Sequence, residues 1–122
     1  MLKVLMLVSG WIEVLCGIAA LIAPLAVIES VGGTGAGVPT LALVRLLGAA
    51  TLGLGVAALI GRNHLETQGG LAAAYGLGLY NVLAAPALIL GAVSASDPGL
   101  WAGAILHTVI AVLFVIAFLT RR

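Results

Sequence analysis

Charged residues are scarce in this chain. Five Lys or Arg and four Asp or Glu occur among 122 residues, so 7% of the chain is charged and 63% is hydrophobic. A soluble domain carries about 25% charged residues, and this chain therefore lacks the polar surface that would keep it in water. With a net charge of +1 it also has no basic face for a phosphate backbone, which argues against nucleic-acid binding.

Cysteine and aromatic residues are scarce as well. Cys16 is the one cysteine in the sequence, which excludes an intramolecular disulfide and a dithiol redox relay. We expect its thiol to be a small buried apolar side chain. No pair of His or Cys stands at metal-ligand spacing, so we predict neither a metal site nor a cofactor. Two Trp, two Tyr and two Phe are too few for an aromatic cage around a large cation.

Long apolar runs make up most of the chain. Four of them, at residues 4–24, 40–61, 70–93 and 99–120, have the roughly 20 residues that a membrane-spanning helix needs. Thr67 is placed to cap the third helix, and either Ser96 or Asp97 is placed to cap the fourth. We therefore predict an all-α fold, a single-domain four-helix transmembrane bundle. The glycine-rich connection at 25–39 is predicted to be a flexible or partly re-entrant loop.

The positive charges outside the helices indicate a topology. Lys and Arg occur before the first helix, in the second connection and after the fourth helix. The charged residues of the first and third connections are all acidic. The residues concerned are Lys3, Arg62, Arg121 and Arg122 on one side, and Glu29 and Asp97 on the other. The positive-inside rule then predicts that both termini are cytoplasmic.

Each predicted helix contains one strongly polar residue, and these four are Glu13, Arg45, Asn81 and His107. Placing an ionisable side chain at the centre of a membrane helix costs about 2.5–3.5 kcal/mol on insertion scales, so it needs a partner or a function. At 1.5 Å per residue, all four lie roughly 8–18 Å from the outer end of their helices. Each also shares a helix face with small residues, the kind that line packed interfaces in membranes. We therefore predict that the four converge inside the bundle.

One interpretation of this cluster is purely structural. Glu13 and Arg45 form a buried ion pair, and Asn81 and His107 hydrogen-bond across helices to fix how the bundle packs. Such hydrogen bonds average only about 0.6 kcal/mol in membranes, so the network specifies geometry more than it stabilises the fold.

The other interpretations are functional, because a carboxyl and an imidazole at this depth can exchange a proton. An enzyme acting on a lipophilic substrate would use Glu13 and His107 as its catalytic acid and base. A proton-coupled carrier would use the same two groups to bind and release protons. In either case the residues expected to bind the substrate are Arg45, Asn81, Trp11 and Tyr80.

Three segments resemble the DoxX-like family of small four-helix bacterial membrane proteins. They are RLLGAATLGLGVAALIGR at 45–62, GLYNVLAAPALILGA at 78–92 and GLWAGAILHTVIAVLFVIAFL at 99–119. The matching features are an Arg-x-x-Gly motif that starts the second helix, here Arg45 to Gly48, and a histidine in the fourth, here His107. The resemblance implies a multi-pass protein of the bacterial inner (plasma) membrane, and some members of that family are linked to membrane redox or stress complexes.

A weaker resemblance concerns the small multidrug resistance family. The chain is similar to it in length, in helix count and in carrying a glutamate in the first helix, here Glu13 within GWIEVLCG. That resemblance implies Glu13 as a shared site for a proton and a substrate.

Taken together, these features favour a small binding or accessory subunit of a membrane complex. A membrane enzyme and a proton-coupled carrier are the alternatives. The expected partners are the lipid bilayer, a lipophilic small molecule and either further copies of the chain or the other proteins of such a complex.

Overall fold

The computed structural model describes residues 1–121, which form five helices and no strand. The helices are α1 (Leu2–Ile22), α2 (Pro24–Ser30), α3 (Val38–Gly61), α4 (Gln68–Ala95) and α5 (Pro98–Leu119). Four of them, α1, α3, α4 and α5, are long and apolar enough to cross a membrane. The predicted all-α bundle of four such helices is thereby confirmed, and each helix begins and ends within two residues of its expected position.

Side-chain caps fix where two of these helices begin. The Gly70 amide donates to the Thr67 hydroxyl oxygen at 3.1 Å at the start of α4. At the start of α5 the Asp97 carboxylate accepts from the amides of Gly99, at 2.8 Å, and Leu100, at 3.1 Å. Both caps satisfy amides that have no partner in the first turn of a helix, as the sequence predicted.

The first connection differs from the flexible loop that we predicted, because nearly half of it is helix α2. This helix ends in a Schellman motif: the Gly32 amide donates to the Glu29 carbonyl, and the Gly33 amide to the Ile28 carbonyl at 3.0 Å. Gly32 has φ +77°, a left-handed conformation that is cheap only for glycine. A Cβ on Gly32 would also overlap the Asp97 side chain, so this turn packs against the α4–α5 connection.

Helices α1 and α3 form a tight antiparallel pair. The two glycines of α1, Gly10 and Gly17, lie seven residues apart and face Gly55 and Gly48 of α3, which have the same spacing. A seven-residue spacing keeps both contacts on one seam of a helix pair. A Cβ on Gly17 would lie 2.6 Å from the Leu52 nitrogen and 2.7 Å from the Gly48 carbonyl oxygen. Only glycine therefore permits this approach of the two backbones.

Helices α4 and α5 form the second antiparallel pair, and the apolar core lies where the two pairs meet near the chain termini. The core is formed by eight buried residues, Leu2, Met6, Ala58, Ala74, Leu77, Ile110, Phe114 and Ala117. Beside it the rings of Tyr75 and Phe118 stack with centroids 4.4 Å apart. We call this half of the bundle the terminal end and the opposite half the α2 end.

Lys3, Arg62 and Arg121 lie at one end of the bundle, and Glu29 and Asp97 lie at the other. Lys3 and Arg62 lie at the terminal end, where Arg121 also donates from Nη2 to the Leu65 carbonyl at 2.6 Å. Glu29 and Asp97 lie at the α2 end. This separation has the form that the positive-inside rule describes, and a cytoplasmic terminal end stays a prediction.

Candidate functional site

Polar side chains are buried together in the middle of the bundle. Glu13 and Asn81 are only 2% and 0% exposed, and Ser9, one turn before Glu13 on α1, is 1% exposed. Burying polar groups away from water costs free energy unless they are hydrogen-bonded, so each needs an account of its partners.

Asn81 is the centre of the hydrogen bonds in this cluster. Its Nδ2 donates to the Leu77 carbonyl at 2.9 Å and, across to α1, to Ser9 Oγ at 3.5 Å. Its Oδ1 lies 2.8 Å from His107 Nδ1 on α5. Asn81 thus connects α1, α4 and α5, and the predicted cross-helix hydrogen bond between Asn81 and His107 is present.

The Leu77 carbonyl determines which form of His107 is present. A carbonyl oxygen can only accept, so Asn81 must turn Nδ2 toward Leu77 and Oδ1 toward the imidazole. His107 Nδ1 must therefore carry a hydrogen. In the neutral ring this leaves Nε2 with a lone pair, and Nε2 makes no hydrogen bond within residues 1–121. Tyr80 packs edge-to-face on the same ring, with centroids 5.6 Å apart.

Within the described chain, Glu13 lacks a hydrogen-bond partner for one of its two carboxyl oxygens. Its Oε1 is buried and has no hydrogen-bond partner within residues 1–121. Tyr80, on α4, lines the same cavity as Glu13. A buried polar group left unsatisfied costs about 1–3 kcal/mol, which identifies Glu13 as the residue most in need of a further donor.

Our prediction that Arg45 joins this cluster is wrong. Arg45 is exposed on α3, and within residues 1–121 the salt bridge formed is His64–Glu66, not Glu13–Arg45. The physical reason is helix rotation. Gly48, Thr51 and Gly55 turn one face of α3 toward α1, and Arg45 lies roughly 90° from the centre of that face at 100° per residue.

Of the four small residues that follow Arg45 at every fourth position, the first three also face outward, whereas Gly61 is buried. Ala49, Gly53 and Ala57 are exposed, and a Cβ on Gly53 would meet no atom within 4 Å. On this helix the small residues at Gly48 and Gly55 form the packed seam, and the row that contains Arg45 does not.

A cavity of about 210 Å³ lies beside Glu13, between the two helix pairs. Its polar wall consists of Glu13, Cys16, Thr51, Tyr80 and His107, and its apolar wall includes Ile12, Ala20, Val27, Leu47 and Leu106. A cavity of about 150 Å³ holds a benzene molecule, so this one has room for a ring-sized group. Leu47 and Leu106 are exposed on the outer surface, so the cavity opens toward the surrounding lipid.

The cavity brings together three of the six residues that the sequence singled out as site residues. Glu13, Tyr80 and His107 line it, and Asn81 lies behind them as the partner of His107. Trp11 is 51% exposed and lies outside the cavity, because a position two residues before Glu13 is rotated about 200° around α1.

Sequence reasoning missed several residues of the wall, among them Thr51, Cys16 and Val27. Cys16, which we expected to be buried, is exposed where the cavity opens, three residues after Glu13 on the same helix face. Val27 belongs to α2, a helix that we had expected to be loop. The spacing from Glu13 pointed to Cys16, whereas no signal in the sequence placed Val27. Within residues 1–121 no three His, Cys, Asp or Glu side chains are grouped so that they would hold a metal ion.

Comparison of the chain with protein-family models, with curated proteins and with solved structures finds no match. The resemblance to DoxX-like proteins therefore stays a prediction, and the chain is a small multi-pass membrane protein with a mainly apolar cavity that Glu13, Tyr80 and His107 help to line.

Proposed function

We propose that this protein binds a lipid-soluble small molecule in the cavity beside Glu13, and that it serves as a binding or accessory subunit of a membrane complex. The observation that carries the proposal is Glu13, which lines a ring-sized cavity and whose buried carboxyl oxygen Oε1 has no partner in the described chain. A ligand that donates a hydrogen bond to this oxygen recovers the cost of leaving it unsatisfied.

The form of the cavity supports a ligand that arrives from the membrane. Its walls are mainly apolar, with a few polar groups that converge at one place, which is how small-molecule sites are usually built. Leu47 and Leu106 are exposed beside the opening, so a hydrocarbon tail can remain in the lipid while the polar head reaches Glu13. The resemblance to DoxX-like proteins supports the accessory role.

A cavity-filling substitution tests this proposal. Gly103 lies on the cavity wall, and a Cβ there meets its nearest neighbour, Leu88 Cδ1, at 3.5 Å, so a side chain can start without a clash. We therefore expect the larger side chain of Gly103→Leu to occupy part of the cavity. Gly53→Leu is the matched control, because the same side chain then points into open lipid.

The measurement is mass spectrometry of organic extracts from the proteins, purified in a mild detergent from the membranes in which they were expressed. We expect a lipophilic compound that co-purifies with the wild type and with Gly53→Leu, and that is reduced at least ten-fold in Gly103→Leu. The absence of any compound that distinguishes Gly103→Leu from the other two contradicts the proposal.

A further inference from the structure

The hydrogen-bonding capacity of the cavity wall is unbalanced toward acceptors. Glu13 Oε1 has no donor within residues 1–121, and the neutral His107 ring has a lone pair on Nε2. The Tyr80 hydroxyl, on the same wall, is able both to donate and to accept. Together these three groups offer more acceptors than donors.

We propose that the cavity selects lipid-soluble alcohols and phenols, and that Asn81 is the positioning residue that sets this preference. The inference rests on the proposed function, since it names the ligand class for the same site. A hydroxyl group donates to Glu13 or to His107 Nε2 and accepts from Tyr80. An ether has no hydrogen to donate and only accepts, and so leaves the acceptors of the wall unpaired.

Asn81 acts on the ligand through His107. Its own orientation is set by the Leu77 carbonyl, which accepts from Nδ2 at 2.9 Å. Its Oδ1 then holds the hydrogen of His107 on Nδ1, and the other ring nitrogen is left as an acceptor. Without Asn81 the ring is free to carry the hydrogen on Nε2. That N–H group could then donate a hydrogen bond to the oxygen of an ether.

Hydrogen bonding can discriminate strongly between an alcohol and an ether. A site built to hydrogen-bond a hydroxyl group rejects the analogue that lacks it, because its buried polar groups are then left unpaired. In a cavity that opens to lipid we expect a preference of at least ten-fold.

Protection of Cys16 provides the assay. Cys16 is the one cysteine of the chain, lies at the opening of the cavity and is exposed, so a bound molecule slows its reaction with N-phenylmaleimide. The probes are benzyl alcohol, benzyl methyl ether and benzylamine, with labelling of the full chain in detergent micelles followed by intact-protein mass. Cys16→Ser combined with Gly53→Cys provides a thiol on the open lipid face and reports any effect of the probes on the micelle itself.

We expect benzyl alcohol to protect Cys16 at a micellar concentration at least ten-fold lower than benzyl methyl ether does. In Asn81→Ala this ratio should fall toward one. Equal protection by the alcohol and the ether in the wild type overturns this inference. Stronger protection by benzylamine than by benzyl alcohol also overturns it. Either result leaves the proposed function standing. Protection by none of the three compounds overturns the selectivity, while the co-purification measurement separately decides the proposed function.

Nitrogen NMR of the histidine side chains separates positioning from a merely structural role of Asn81. The chain has two histidines, and His64→Gln assigns their signals. We expect the wild-type His107 ring to carry its hydrogen on Nδ1, and the hydrogen to redistribute toward Nε2 in Asn81→Ala. A wild-type ring with its hydrogen on Nε2 contradicts the proposal even if Asn81→Ala does not fold.

Discussion

The seam between α1 and α3 makes the sharpest stability prediction. A Cβ on Gly55 would lie 2.7 Å from the Gly10 carbonyl oxygen and 2.8 Å from the Val14 nitrogen. Both atoms belong to the backbone and cannot rotate away, so the helices must separate by roughly 0.7 Å before ordinary contact begins, with a loss of dispersion contacts along the seam. Overpacking of this kind costs about 1–3 kcal/mol.

Gly53 is the matched control, two residues earlier on the same helix. A Cβ there meets nothing within 4 Å, so Gly53→Ala adds no clash. Both substitutions gain the roughly 1 kcal/mol by which alanine exceeds glycine in helix propensity, and this gain cancels in the comparison. We therefore expect Gly55→Ala to be less stable than Gly53→Ala by about 1–3 kcal/mol, the estimated cost of the overpacked seam.

The assay is unfolding of each variant by sodium dodecyl sulfate in dodecylmaltoside micelles, followed by circular dichroism. Equal free energies of unfolding for the two variants would refute the close approach of α1 and α3. Because Glu13 lies between Gly10 and Gly17 on α1, a separated seam should also weaken the protection of Cys16 by benzyl alcohol. Protection unchanged in a destabilised Gly55→Ala would show that the cavity does not depend on the seam.

Two further substitutions test the placement of single charges by the same unfolding measurement. Arg45→Gln should change the free energy of unfolding by less than about 0.5 kcal/mol, because Arg45 is exposed and has no ion pair with Glu13; a loss above about 1 kcal/mol would contradict that placement. Asp97→Ala should cost about 1 kcal/mol through loss of the α5 cap. Asp97→Asn should keep most of that stability, since its amide oxygen also caps, and equal losses in the two variants would argue against the cap.

Some parts of the site were predictable from residue type and spacing. Glu13 and His107 stand out because polar residues are rare in these helices, and both line the cavity. Ser9 and Cys16 were accessible through their spacing from Glu13 on α1. Arg45 has the same rarity as Glu13 and yet lies outside the cluster, so rarity alone does not tell a buried polar residue from an exposed one.

The sequence by itself determined that this is a membrane protein of four long helices and where each one begins and ends. Hydrophobic length and end caps such as Thr67 and Asp97 are local properties, which neighbouring residues along the chain suffice to specify. Only the tertiary structure decided which polar residues meet. In a bilayer the lipid-facing and core-facing sides of a helix are both apolar, so the periodic pattern that reveals the buried face of a soluble helix is weak. The rotation of α1 and α3, and with it the placement of Glu13 inside and Arg45 outside, was set by the close packing of glycines along their seam.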